Sequence, residues 1–390
     1  MIKSKPGITW VNILHLYQPP WQNSEILAKV VNESYCFIIK TLTKFPHAKA
    51  TINLCASLTE QFVLYGYQNI LIDLNKLAKK GQIEWLGSAK YHPILPLLNT
   101  KLITEQIRDN EAINKKYLYR YRPTGFFLPE LAYSQEVARM IKKLGYQYLI
   151  LDPISSAKKI SSEQVYLSAD TGLRIIFRQT KISRSFPPEE IHLLSQKKYS
   201  GIIVTATDGE LYGHFHQDWQ DHFKQVLENS NIITQTAGEW QRNAAHPQTV
   251  SLRSSNWHST VTELKQRQPY ALWHNRNNLV QQNIWRLANY AIAQLKLHSR
   301  DRNIKWADQH LQRGLSSCTF WWASGRTTST FSPVSWNPDE IDNGLEELVR
   351  SLRSLQQASR SVKLWAEKLY TQAKMSVWSH HWKKYYDNKR

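Results

Sequence analysis

Apolar positions in the first two thirds of the chain fall into short runs separated by stretches of helical spacing. Ile8–Leu14 (ITWVNIL), Ala50–Leu54 (ATINL), IEWLGSA from Ile83, Gly125–Leu128, YLILD from Tyr148, LRIIF from Leu173 and GIIVTAT from Gly201 are predicted strands. Between them, Ser24 to Phe45 carries Ile26, Val30, Val31, Phe37, Ile38 and Leu42 at helical spacing, with Pro46 just beyond. Further helices are predicted up to about Lys80, where Gly81 follows, from about Thr104, and from Ser134. Strands alternating with helices imply a parallel α/β sheet with crossovers, hence a barrel or a doubly wound fold. The pattern changes after about residue 270. Asn277 to Leu297, Asn303 to Leu315 and two segments between Glu340 and Trp382 have helical spacing, interrupted by a Thr-, Ser- and Pro-rich loop from Arg326 to Pro338. The expectation is a barrel over 1–270 and a helical bundle over 271–390, ending in a frayed basic tail, HHWKKYYDNKR.

A chain of 390 residues has room for both parts. The formal charge of +19 raises nucleic-acid or membrane-surface contact. The Lys and Arg residues are scattered, however, and no nucleic-acid motif organises them, so a basic soluble surface is the reading adopted, with no nucleic-acid or membrane partner. No run approaches the roughly 18 apolar residues of a membrane span. Cys36, Cys55 and Cys318 lie far apart without CxxC spacing, which fits a reducing compartment. The N-terminal apolar stretch is broken by Asn12 and runs into prolines without a small-residue cleavage site. A cytoplasmic location is therefore expected. The chain has 15 Trp and 19 Tyr, enough to supply flat platforms for sugar rings as well as a core.

In a parallel α/β fold, polar residues just past the carboxyl end of a strand face the active-site mouth. His15 and Gln18 (in HLYQPP), His92 (in GSAKYHPILPLL), Glu130 (in GFFLPELAY) and Asp208 (in TDGELYGHF) occupy such places. Each has a plainer reading: a hydrogen-bonded structural His, a buried ion-pair Glu, or a tight Asp-Gly turn. A carboxylate among Phe127, Leu128 and Leu131 is nevertheless costly to bury without a partner or a use. Two carboxylates from different strands are the usual equipment of glycoside hydrolysis.

HLYQPP, EWLGSAKYHPILPLL, GFFLPELAY and TATDGELYGHF, in this order, resemble the motif regions of glycoside hydrolase family 57, and SCTFWWAS in the helical part is also similar. The resemblance implies a (β/α)7 barrel with a C-terminal α-helical region, and a retaining α-glycosidase or glucanotransferase acting on α-glucans or α-linked oligosaccharides. Glu130 matches the family's nucleophile and Asp208 its acid/base. His15, Gln18 and His92 are then expected to bind sugar hydroxyls, and Glu210 and His214 to brace the site. Trp273, Trp321 and Trp322 are expected to stack on sugar rings, with bundle packing as the alternative. Tyr17 stands where many members carry a second His, and Tyr212 where many carry Phe. No cofactor or metal ligand is assigned. Two other readings are a metal-dependent hydrolase using His15, His214 and His216, and a non-catalytic glucan-binding relative.

Overall fold

The computed structural model describes residues 7–326 and 334–387. Ten strands form one sheet among them: β1 (Ile8–Leu16), β2 (Ala50–Leu54), β3 (Ile83–Gly87), β4 (Gly125–Phe126), β5 (Tyr148–Leu151), β6 (Val165–Ser168), β7 (Arg174–Phe177), β8 (Gly201–Asp208), β9 (Ile232–Gln235) and β10 (Gln248–Val250). Seven of these pair in parallel in the order β8-β1-β2-β3-β4-β5-β7. Just past β7, the Gln179 N–H donates to Val204 O of β8 at 2.8 Å, so the two outer strands of the parallel set meet. These seven coincide with the seven apolar runs, and helices connect most of them, as a (β/α)7 barrel requires.

The runs are continuously apolar because both faces of the strands are covered. Val11, Ile13, Leu86, Tyr148, Ile150, Ile176, Val204 and Ala206 pack together in one cluster. Their neighbours Phe126, Leu149, Leu151, Ile175 and Phe177 pack in another, with Ile103, Ile107, Val137 and Ile141 from the crossover helices. Gly125 must lack a side chain, since a Cβ there would lie 2.1 Å from the Tyr148 ring.

Three strands were not legible in the pattern. β6 is antiparallel to β7, and β10 extends the sheet from β6. β9 pairs with the first half of β1 (Ile8 to Val11), while β2 pairs with the second half (Ile13 to Leu16). All three are three or four residues long, too short for a period to show.

The chain divides into two compact units. The first holds the sheet and runs to Trp257. The second begins at His258, earlier than residue 271, and includes the short segments 19–21 and 91–94. In the second unit, the helix Leu279–Leu297 packs on Pro338–Arg353 and Arg360–Asp387. Leu287, Ala291, Leu345, Leu348, Leu352, Ala373 and Val377 are buried there. Residues 380–387 of the basic tail continue the last helix to Asp387, where Trp382 stacks on Trp378 with centroids 6.3 Å apart, and residues 388–390 lie outside the described residues. Residues 327–333 of the predicted Arg326–Pro338 loop lie outside the described residues. No helix among the described residues is long and apolar enough to cross a membrane.

Candidate active site

At the carboxyl ends of β8, β1 and β2, Asp208, His15 and Asn53 stand side by side in register. In-register residues of neighbouring strands project to the same face, so the pleat places all three on one side of the sheet. His15 Nδ1 lies 2.6 Å from Asn53 Oδ1. Its ring stacks on Phe127, with centroids 4.7 Å apart and planes at 9°, and on Tyr17 at 6.0 Å. Burial lowers its pKa to about 4, against the opposing Asn53 bond. A neutral His15 donates from Nδ1 to Asn53 and keeps Nε2 as its acceptor nitrogen.

Phe127 continues β4, its N–H donating to Gly87 O. The chain then tightens at Pro129–Leu131, where Glu130 has φ 57° and ψ 19° and Leu131 has φ 47°. Left-handed backbone at non-glycine residues costs of order 1–3 kcal/mol each and collects where geometry serves function. Trp257 holds this turn twice. Its indole Nε1–H donates to Glu130 Oε2 at 2.8 Å, and its main-chain N–H donates to Glu130 O at 3.2 Å. The half-buried Glu130 is therefore held by a side chain 127 residues away.

Asp208 closes β8 and differs in kind. Its side chain is exposed, and no side chain among the described residues hydrogen-bonds its carboxylate. Protein nonetheless crowds round the group: desolvation raises its pKa to about 6, against the lowering effect of Arg178. Asp208 is thus reached by solvent yet poorly solvated. Glu210, two residues on, is fully buried. Its Oε1 accepts from Gln18 Nε2 at 2.9 Å and from the Tyr35 hydroxyl. Burial, together with the Asp208 charge, raises its pKa to about 7 against these two bonds.

Tyr35 reaches Glu210 because its helix is irregular. The predicted helix from Ser24 is broken by one wide turn, Val31–Tyr35, between Ser24–Val30 and Cys36–Lys44. Such π-turns are frequent at functional sites. This one delivers three consecutive side chains to the 209–214 turn. Glu33 Oε2 lies 2.6 Å from His214 Nδ1, Ser34 Oγ donates to Gly209 O at 2.8 Å, and Tyr35 bonds Glu210. Gly213, at φ 102°, passes so close that a Cβ would lie 2.0 Å from Glu33 O, which explains the glycine in GELYGHF.

The ends of β5 and β7 supply a buried ion pair. Arg178 Nε lies 2.8 Å from Asp152 Oδ2, with both side chains about 5% exposed or less. Arg178 Nη1 also donates to Ala206 O at 3.0 Å, and the guanidinium sits 4.9 Å from the Trp257 ring centroid.

Comparison with known proteins shows the family of the chain. The family model described as glycosyl hydrolase family 57 matches residues 10–241, more than half of the chain. The chain belongs to glycosyl hydrolase family 57. An α-amylase of Pyrococcus horikoshii is 25% identical over 224 residues, covering 53% of this chain and 34% of that protein. A 4-α-glucanotransferase of Thermococcus litoralis is 21% identical over 257 residues, covering 60% and 38%. The chain thus spans about a third of the length of the curated relatives it matches. The solved structure of a family 57-type branching enzyme from Pyrococcus horikoshii superposes with a TM-score of 0.70 at 17% identity, over 94% of this chain and 95% of that one. The 4-α-glucanotransferase structure from Thermococcus litoralis gives 0.71 at 17%, over 90% and 60%. At these identities the structures establish a shared fold.

Within the family 57 match lie His15, Gln18, His92, Glu130, Asp208, Glu210 and His214. The structure sets His15 beside Asp208 on the β1–β8 ladder, stacks His15 on Phe127, three residues before Glu130, and joins Gln18 to Glu210. His214 is tied to Glu33. His92 belongs to the second unit, where its Nδ1 lies 3.0 Å from Ser317 Oγ. Trp273 is fully buried, and its main-chain O accepts from Trp285 Nε1. No face of its ring is accessible for stacking, so it serves the bundle core. Trp321 and Trp322 are half-buried and meet edge to face at 4.5 Å. No group of three His, Cys, Asp or Glu side chains among the described residues is arranged to hold a metal ion.

Sequence reasoning missed Asn53, Tyr35, Asp152, Arg178 and Trp257. For Asp152 and Arg178 the signal was present, since each ends an apolar run as Asp208 does. Nothing in RSSNWHST marks Trp257.

Proposed function

We propose that this protein cleaves or transfers α-linked glucosyl units with retention of configuration, Glu130 acting as nucleophile and Asp208 as acid and then base. The contrast between the two carboxylates carries the reading. Glu130 is clamped at its backbone and at Oε2 by the Trp257 indole. Asp208 has no side-chain hydrogen bond to break and a pKa of about 6, so near that pH it is protonated often enough to give a proton and ionised often enough to take one back.

In the first half-reaction, Glu130 forms a bond to the anomeric carbon as Asp208 protonates the departing glycosidic oxygen. In the second, Asp208 takes a proton from water or a sugar hydroxyl, which displaces Glu130. Water gives hydrolysis and a sugar hydroxyl gives transfer. Neutral His15 suits a sugar hydroxyl better than an imidazolium would, because it can accept as well as donate. Glu210 holds Gln18 and Tyr35 in place, and Trp321 and Trp322 are assigned to sugar stacking. The substrate is an α-glucan or maltooligosaccharide. Three separated cysteines that form no disulfide suit a reducing cytoplasm.

Incubation with maltoheptaose followed by chromatography tests the reading. Shorter products alone mean hydrolysis, and shorter and longer ones together mean transfer. An unchanged substrate, with related α-glucans also untouched, contradicts it.

A further inference from the structure

Resting on that assignment of Glu130 and Asp208, the geometry points to Arg178, with Asp152 behind it, as a positioning residue that serves both carboxylates at once. Three sides of the guanidinium do different work. One face of the guanidinium lies against the Trp257 indole at 4.9 Å, and that indole donates to Glu130 Oε2 at 2.8 Å. Arg178 thereby fixes the ring that fixes the nucleophile. Its Nη1 is bonded to Ala206 O, two residues before Asp208 on β8. This bond anchors the guanidinium beside the strand that ends in the acid/base. Asp152 holds the third side through Nε and is itself fixed by Thr180 Oγ1 at 2.9 Å and by the Ile154 N–H at 3.1 Å.

A buried guanidinium is costly to desolvate, and a well-packed apolar pair often stabilises a fold as well or better. Steadying Trp257 and placing a fixed positive charge near Asp208 gives the pair a use beyond stability. Other groups also surround Asp208. Glu210 follows it in the chain and Tyr35 approaches from the π-turn. His15 stands beside it on β1 and is neutral above about pH 4. Arg184 lies behind Arg178 on the short helix Thr180–Arg184. Among these, Arg178 is the cation that acts on Asp208, and Asp152 is the anion that partly cancels it.

The two partners can therefore be separated by sign. Arg178→Gln removes the cation and should move the Asp208 midpoint up by about one unit. Asp152→Asn removes the compensating anion and should move the midpoint down. The midpoint is read by carbon-13 NMR of carboxyl-labelled aspartate, with the Asp208 signal assigned through Asp208→Asn, so it does not depend on turnover. The basic limb of kcat/KM on a maltooligosaccharide should shift in the same two directions. Arg178→Lys keeps a charge without the flat fork. It should return the midpoint towards wild type while leaving kcat at least tenfold down, since the indole loses its support. Should Arg178→Gln fail to fold, the double variant Arg178→Gln/Asp152→Asn removes both charges together and should raise the midpoint above the wild type by less than about one unit.

Midpoints that move in the same direction in the Arg178 and Asp152 variants, or that stay at the wild-type value in folded variants, overturn the inference and make the pair a structural brace only. If instead Glu130→Gln and Asp208→Asn keep wild-type activity, the underlying assignment fails, which is a separate result.

Discussion

The ends of β4 and β8 each present a carboxylate, and the two are treated in opposite ways. At β4, two residues with left-handed backbone and a doubly bonded tryptophan fix Glu130 in place. At β8, Asp208 continues its strand with φ −64°, without backbone strain and without a hydrogen-bonded side-chain partner. A nucleophile must meet one atom along one line, so it gains from being held. A proton carrier must be matched in pKa and must serve two partners in turn, so it gains from desolvation and from freedom. The chemistry lies in the difference between the two sites, not in the presence of two acids.

The largest effect should come from Glu130→Gln, which keeps shape and removes the attacking charge. Turnover of maltooligosaccharides should fall roughly 10⁴-fold or more, about 5.5 kcal/mol of barrier. A loss below tenfold would end the contrast.

Asp208→Asn should cost roughly 10²- to 10⁴-fold on natural glucans and much less on a glucosyl fluoride, whose leaving group needs no proton. The wild-type kcat/KM should fall as pH rises through about 6, because the required proton is then lost, and the variant should lack that limb. Equal losses on both substrates would mean that Asp208 does something other than proton transfer.

Trp257→Phe sharpens the Glu130 side. It keeps most of the ring against Arg178 but removes the donor to Oε2, a charged hydrogen bond of about 1.5–3 kcal/mol. kcat should drop roughly 10- to 100-fold with little change in KM. A change in KM alone would assign Trp257 to substrate binding.

The smallest effect should be one of stability. Glu210 has a folded-state pKa of about 7 against an ordinary 4.5, so its contribution is fully present below about pH 4.5 and is lost as pH rises through 7. His15 is depressed to about 4, so its contribution is present above about 6.5 and is lost as pH falls through 4. Asp208, raised to about 6, adds to the first trend, and His15 opposes both. In Glu210→Gln, which keeps an oxygen to accept from Tyr35 and Gln18, the Glu210 part of the first trend disappears. By thermal unfolding, the variant should gain up to about 3 kcal/mol over the wild type at pH 8 and lose that advantage near pH 4.

How much of this was legible follows from what each feature requires. The seven barrel strands could be read because burial on both faces makes them apolar throughout, as in ATINL and GIIVTAT. The strand-end rule then found His15, Glu130 and Asp208, and applied to YLILD and LRIIFR it reaches Asp152 and Arg178 as well. Trp257 could not be found this way, since its role depends on a contact across 127 residues and its own segment has no period. The wide turn at Val31–Tyr35 was also hidden. Ile26 and Val30 fit a regular helix, yet Ile26 is exposed while Ser34 and Tyr35 are buried, because one extra residue in the turn rotates the face presented. The left-handed conformation of Glu130 has no sequence mark, because the residue there is neither Gly nor Asn.

The most direct test of the paired roles is to trap the intermediate. Asp208→Asn protein should be incubated with a 5-fluoro-α-glucosyl fluoride, digested with protease and read by peptide mass spectrometry. A single added fluoroglucosyl mass on Glu130, absent from Glu130→Gln/Asp208→Asn and released by azide as the 5-fluoro-α-glucosyl azide, is the predicted result. An adduct on another side chain, or a β-configured azide product, would contradict it.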